Sequence, residues 1–387
     1  MPVSLAACTA TKQSRPRPDL HNEGVPAPAV PLTLALTPAT GGRNLPVTTE
    51  IGTTVSGGTV TGVTLTDAAG RRVPADPRPD GSSWVPAAPL AFGRGYTATV
   101  TATGRDGRRS SRTTSFTTMA DPGSDRIGTG LYFSSGQTYG VGMPVVVEFD
   151  APIPDSAKAA VERRLLVRSE PAQVGVWHWY GDRQVLYRPR TYWQPGTRLT
   201  VRAALAGLPV GRHFIDRDRG GTATIGPKQV FLVRNATKSL YVYQNDKLTR
   251  TYPVSLGKSS TPTGSGNLVI MTHEYSTLFD TPLYRITAYY DERITWGGVY
   301  LHAAPWSVDS QGRQNVSHGC VNLSTRNAAW VYGMARIGDP VTITGTEVHV
   351  TPGDGWTVWD MSWSDYVKGS ALPHPDLGGD RQERQPR

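Results

Sequence analysis

The sequence predicts a mainly β chain divided into several domains, and three observations carry that expectation. A chain of 387 residues exceeds one ordinary domain and points to two to four. Its 42 Gly and 31 Pro, set among frequent Thr and Val, favour short strands and turns over long helices. Strict alternation recurs, as in Leu32-Thr33-Leu34-Ala35-Leu36 and Tyr96-Thr97-Ala98-Thr99-Val100-Thr101-Ala102, the period of strands with one buried face.

Taken in order, residues 1–31 read as a leader and flexible tether, with Pro, Ala and charge and no periodic apolar face. Within it, Leu5-Ala6-Ala7-Cys8 resembles the small-residue pattern before the lipid-modified cysteine of bacterial lipoproteins. The apolar stretch ahead of Cys8 is short and lacks a basic start, so the expectation is an initiation site further upstream and a mature chain beginning at a lipidated Cys8. Residues 32–119 read as a small sandwich whose strands are separated by turn clusters such as Asp80-Gly81-Ser82-Ser83.

Residues 120–226 look like a repeat of that unit. Leu45-Pro46-Val47 recurs as Met143-Pro144-Val145, while Pro86, Gly93 and Thr97 recur 103 positions later as Pro189, Gly196 and Thr200. Trp177, Trp179 and Tyr187 are expected in the core of the second unit, with a glycan-stacking face as the alternative. The Asp216-Arg217-Asp218-Arg219 run is expected at a solvated hairpin tip.

A third unit covers residues 227–346. Val230–Val233 and Leu240–Tyr243 read as strands, and Gly257-Lys258-Ser259-Ser260-Thr261-Pro262-Thr263-Gly264 as a shaped loop. It is not a phosphate loop, because the upstream glycine is missing at the required spacing. Ser324 is a suitable N-cap for a helix from Thr325 to about Arg336, stopped by Gly338. In the extension 347–387, Trp356, Trp359, Trp363 and Tyr366 fall near helical spacing and are expected to pack back on the second or third unit. Disorder is expected after about residue 368.

The net charge of +9 comes from 40 Lys and Arg against 31 Asp and Glu. The basic residues are scattered and mostly Arg, which reads as a solvated surface, with attraction to an anionic wall polymer as the functional reading. No nucleic-acid motif is present, and no run of 18 apolar residues offers a membrane-spanning helix. The chain has two cysteines, Cys8 and Cys320, and their pairing is not expected because Cys8 lies in the leader.

Chemistry concentrates between His302 and Asn322, where Ser317-His318-Gly319-Cys320-Val321-Asn322 follows fourteen residues after His302. A thiol becomes a good nucleophile when an imidazole holds it as thiolate, and both His302 and His318 are candidates for that base. Gly319 permits close approach of a substrate, and the N–H groups of Gly319 and Cys320 are candidate oxyanion donors.

This histidine, spacer and Ser-His-Gly-Cys-apolar-Asn composite resembles the signature of bacterial L,D-transpeptidases (the YkuD-type catalytic domain). The likeness extends to Thr261-Pro262-Thr263-Gly264, Tyr284-Arg285 and His302-Ala303-Ala304-Pro305-Trp306. The resemblance implies two tandem immunoglobulin-like β-sandwiches, a catalytic β-domain with a short helix, and an aromatic C-terminal tail. It implies Cys320 as nucleophile, His302 as base, and His318 as a wall residue that helps polarise the site. Tyr284, Ser317, Gly319, Asn322 and Trp306 become candidate substrate-side residues, with the Tyr284 hydroxyl a second oxyanion donor and Asn322 a support for the loop.

The implied reaction needs no metal or organic cofactor. The thiolate attacks the third-residue carbonyl of a tetrapeptide stem, D-alanine leaves, and an amine of a second stem resolves the thioester into a 3→3 peptidoglycan cross-link. Carbapenem β-lactams are implied inhibitors, and the implied location is the cell wall outside the cytoplasm. One departure stands out, since the family often carries Ser directly after the first histidine and this chain has Ala303. Two rival readings remain open: a carboxypeptidase or other hydrolase using the same thioester, and a non-enzymatic zinc module on His302, His318 and Cys320.

Overall fold

The computed structural model describes residues 30–280 and 285–373. The architecture is mainly β, as the alternation predicts. The first sandwich pairs a sheet of Thr33–Thr37, Ile51–Ser56, Ser83–Pro86 and Ala75–Pro77 with a sheet of Gly42–Leu45, Arg109–Thr118, Gly95–Gly104, Gly58–Asp67 and Arg72–Val73. Along Gly95–Gly104 the pleat sends Tyr96, Ala98, Val100 and Ala102 inward. The outward hydroxyls of Thr97, Thr99 and Thr101 pair with Ser115, Thr113 and Ser111 on the neighbouring strand.

The second sandwich repeats the plan, with Thr129–Leu131, Val145–Phe149, Gln184–Pro189 and Gly175–Tyr180 facing Thr138–Tyr139, Arg219–Ile225, Arg198–Ala203 and Leu165–Glu170. Gly93 and Gly196, matched in the sequence repeat, both take left-handed φ (64° and 82°). Each donates its N–H to the end of a later segment, to Met119 and Ile225 respectively, so the repeat records a turn that only glycine makes cheaply. Trp177, Trp179 and Tyr187 are buried in the second core.

The acidic-basic run is not a solvated tip. Asp218 accepts from Arg202 (2.8 Å) and from the Ala206 N–H (3.0 Å), while Arg202 also reaches Asp76 of the first sandwich at 2.6 Å. Three partly buried groups thus clamp the two sandwiches together, a partnership of distant residues that local composition cannot reveal.

The third unit holds a six-stranded sheet in the order Lys247–Pro253, Ser239–Gln244, Gln229–Arg234, Pro340–Thr344, Gly264–Val269, Val348–His349. A second sheet runs Thr272–Asp280, Arg285–Arg293, Tyr300–Ala303, Val321–Leu323. Their apolar faces share one core with the helix Thr325–Tyr332. Ser324 caps that helix as expected, its Oγ accepting from the Asn327 N–H. The helix ends at Tyr332, before the expected Arg336, because Gly333 begins a turn.

The aromatic tail does not form one amphipathic helix. It breaks into Thr357–Asp360, Trp363–Tyr366 and Val367–Gly369, and its Trp356, Val358 and Tyr366 join the core of the second sandwich. Arg188 of that sandwich lies under three tail rings, 4.5 Å from Trp359, 5.2 Å from Trp363 and 4.2 Å from Tyr366. Its guanidinium also donates to the carbonyls of Val358 and Met361. Just past 368, Glu162 accepts from the Ser370 hydroxyl at 2.6 Å and from the Ala371 N–H at 2.5 Å; the rest of the stretch where disorder is expected, 374–387, lies outside the described residues.

Arg188 is nearly fully buried, so its removal strips cation–π contacts and leaves carbonyls unpaired. Arg188→Ala is expected to cost about 3 kcal/mol of stability and to open the 347–373 segment to limited proteolysis. Denaturant unfolding and digestion followed by mass spectrometry measure both effects.

Candidate active site

The site grows from one pairing. Strand Tyr300–Ala303 lies parallel to Val321–Leu323, with Leu301 opposite Val321, His302 opposite Asn322 and Ala303 opposite Leu323. Leu301, Ala303, Val321 and Leu323 are buried in the third-unit core. Alternation therefore turns Tyr300 and His302 to the other face, and Cys320, just ahead of Val321, enters at the same edge.

His302 is buried, and its Nδ1 lies 3.1 Å from the Ala303 carbonyl oxygen. A carbonyl only accepts, so Nδ1 carries the hydrogen and Nε2 keeps a lone pair for a proton. Ala303 reaches the ring through its backbone carbonyl. Burial drives His302 down to about 4, outweighing the polar contacts from Ala303 and Asn322.

Cys320 is half-buried, and its thiol donates to the Gly298 carbonyl at 3.5 Å. Burial pushes the thiol up to about 12, against the stabilising Tyr300 N–H, and the charge of Asp291 adds to the rise. Burial thus disfavours the charged form of each group.

The loop 257–264 braces the thiol turn. The Ser317 carbonyl accepts from the Lys258 N–H (3.0 Å) and the Thr261 hydroxyl (3.2 Å). Thr263 accepts from the Gly257 N–H (2.8 Å) and donates to the Gly319 carbonyl (2.7 Å). A Cβ on Gly257 would lie 2.1 Å from the Thr261 carbonyl, so that glycine is sterically required. Thr263 and Gly298 went unrecognised as site residues in the sequence, although the Thr-Pro-Thr-Gly run was the available signal for the first.

Ser317 is buried and donates its hydroxyl to the Cys320 carbonyl at 2.6 Å. The Gly319 N–H donates to Ser317 Oγ at 3.1 Å. It is therefore spent inside the turn and is not an oxyanion donor, contrary to expectation. Gly319 instead contributes its φ of +132°, which L-residues rarely adopt. Asn322 is buried on the face that bears His302 and donates to Ser307 Oγ at 3.1 Å, which props Pro305–Ser307.

Trp306 on that turn is 56% exposed, its ring 6.1 Å from His302. His318 is exposed, with Nε2 3.4 Å from Lys258 Nζ, on the rim rather than in the buried pair. Phe279 packs edge-on against Tyr300 (5.0 Å) and His302 (5.7 Å), so strand Thr272–Asp280 leans over the site. Tyr284 and Cys8 lie outside the described residues. Among the described residues no three His, Cys, Asp or Glu side chains converge to hold a metal.

A lone-pair-bearing imidazole on one strand and a thiol in the bend that opens its parallel neighbour fit a cysteine-dependent acyltransferase on a β scaffold. Comparison with known proteins agrees. The model of the L,D-transpeptidase catalytic domain matches residues 228–343, and that of a bacterial Ig domain matches 42–209. L,D-transpeptidase 5 of Mycobacterium tuberculosis is 33% identical over 97% of this chain and 83% of its own length. L,D-transpeptidase 2 of the same species is 29% identical over 95% of this chain and 92% of its own. A solved LD transpeptidase in complex with imipenem is 35% identical and covers 56% of this chain and 99% of its own, with a TM-score of 0.48.

The chain belongs to the L,D-transpeptidase family. Its members act on cell-wall peptidoglycan, so its workplace is outside the cytoplasm.

Thr263 joins two otherwise separate bonds of the brace, so Thr263→Val keeps shape and removes both. The expected result is a roughly tenfold slower reaction of Cys320 with iodoacetamide, read by mass spectrometry of the Cys320 peptide, with an unchanged melting profile for the sandwiches.

Proposed function

We propose that this protein cross-links peptidoglycan stems through a Cys320 thioester. The observation that carries the reading is His302, with Nδ1 locked on the Ala303 carbonyl one strand away from an accessible thiol. As a tetrapeptide stem enters, Cys320 passes its proton to His302 Nε2 and Sγ attacks the carbonyl of the third residue. The Cys320 N–H and the Tyr284 hydroxyl receive the oxyanion. The bond to D-alanine breaks, the leaving amine takes the proton from His302, and a thioester remains.

An amine of a second stem then attacks the thioester. His302 accepts its proton and returns it to the departing sulfur, leaving a 3→3 cross-link and a neutral thiol. Trp306 and His318 form the lip that the stems cross. A carbapenem enters the first half of this sequence and stops there as an acyl adduct on Cys320. The two sandwiches, read as 32–119 and 120–226, space the catalytic unit 227–346 from a membrane to which a lipidated Cys8 anchors the chain.

Purified protein given a disaccharide tetrapeptide is expected to yield cross-linked dimer and free D-alanine. Cys320→Ser should abolish both, and His302→Ala should lower the rate at least a hundredfold. Tripeptide without dimer would make the protein a carboxypeptidase. Imipenem should add one mass increment mapping to Cys320, and its absence would count against the nucleophile. Fatty-acid labelling of a version carrying upstream codons tests Cys8 separately.

A further inference from the structure

Two backbone groups, two residues apart, flank the thiol. The Gly298 carbonyl accepts the Cys320 S–H at 3.5 Å, and the Tyr300 N–H donates to the same sulfur. Among the described residues no other group donates to the Gly298 carbonyl. Gly298 lies in the loop 294–299 that joins strand Arg285–Arg293 to strand Tyr300–Ala303. It is half-buried, with a left-handed φ of +92°. A Cβ built there would meet nothing within 4 Å, so space lies open beside it.

This loop is held by contacts that do not involve Cys320. The Ile294 N–H donates to the Val299 carbonyl at 2.9 Å, the Gly298 N–H to the Thr295 carbonyl at 3.3 Å, and the Val299 N–H to Thr295 Oγ1 at 3.2 Å. Arg293 donates to the carbonyls of Thr295 and Trp296 at 2.9 and 2.6 Å. Asp354 of the C-terminal extension accepts from the Gly297 N–H at 2.6 Å, and the Trp296 ring lies 6.3 Å from that of Tyr132 in the second sandwich. The Gly298 carbonyl therefore keeps its place whether or not the sulfur carries a hydrogen.

A thioester sulfur has no hydrogen to donate, so acylation of Cys320 vacates the Gly298 carbonyl while the Tyr300 N–H still faces the sulfur. Resting on the thioester reading above, we infer that the vacated Gly298 carbonyl receives the amine of the second stem, accepting one N–H and turning the nitrogen lone pair toward the thioester carbon. A partly buried acceptor that has lost its donor gains by taking another. The oxygen stands 3.5 Å from the sulfur to which that carbon is bonded. A nitrogen about 3 Å from the oxygen is thus in range of the roughly 3–3.5 Å approach that attack requires.

The step balances with the groups present. The amine lone pair forms the C–N bond, and the C–S electrons return to sulfur, where the Tyr300 N–H supports the departing charge. One amine hydrogen passes to His302 Nε2 and on to the sulfur. The other, held by Gly298, stays in the new amide. The restored S–H then competes with the product N–H for the Gly298 carbonyl, which favours release of the cross-link.

The test separates acceptor use from acylation in the full chain. Disaccharide tetrapeptide is the donor, and a tripeptide stem, which keeps its amine but has no D-alanine to lose, is the acceptor at varied concentration. The burst of D-alanine reads acylation, and the mixed dimer reads aminolysis. Gly298→Ala strains a left-handed position and turns the carbonyl away. It should lower kcat/KM for the tripeptide roughly tenfold and slow the burst by less than about threefold. Equal losses in both steps, or no loss for the tripeptide, overturn the inference. If that variant does not fold, crystals of the unsubstituted imipenem acyl-enzyme soaked with the tripeptide decide it. An amine nitrogen within about 3.2 Å of the Gly298 oxygen is expected, and a tripeptide bound otherwise or not at all overturns the inference. Failure of the thioester reading is distinct: the unsubstituted protein would then give no D-alanine burst and no imipenem adduct on Cys320.

Discussion

Desolvation of the thiol and the imidazole is the constraint around which the catalytic unit is built. Burial drives His302 and Cys320 toward their neutral forms from opposite sides. The parallel pairing of Tyr300–Ala303 with Val321–Leu323 fixes the two strands in register.

Holding a thiol at the open end of a strand takes a brace, and the loop 257–264 supplies it from a distant part of the chain. Thr263, Thr261 and the Lys258 N–H reach the carbonyls of the turn, while Ser317 ties the turn to itself. These are buried hydrogen bonds in a low-dielectric setting, where a satisfied network is stiff and a broken one costly. Asn322 extends the support outward to Ser307 and hence to the turn that displays Trp306. Rigid inner parts carry a more accessible rim of Trp306 and His318.

The catalytic unit does not stand alone. Val269 and the linking Met271 of the catalytic unit, and Trp356, Val358 and Tyr366 from its tail, share one apolar core with the second sandwich. Arg188 pins the tail by ring contacts and carbonyl bonds. Gly338, at a φ of +89°, packs so tightly on Met143 that a Cβ there would lie 2.6 Å from the Met143 Cβ. The sandwich next to the enzyme is thus part of its support, whereas the first sandwich is joined by the Arg202, Asp76 and Asp218 clamp.

What the sequence alone determined is what short-range pattern encodes. Period-two runs specify strands, a turn needing left-handed φ keeps glycine at 93 and 196, and one spacing of His302 to Cys320 names the chemistry. These signals are local because pleat, turn and nucleophile motif each span a few residues. Tertiary structure alone decided the rest: that Thr263 braces Gly319, that Asn322 faces inward, that the Gly319 N–H is already used, and that the tail breaks into short turns over Arg188. It also set how strongly burial disfavours charge on His302 and Cys320, because desolvation depends on everything packed around a group and no window of sequence contains its surroundings.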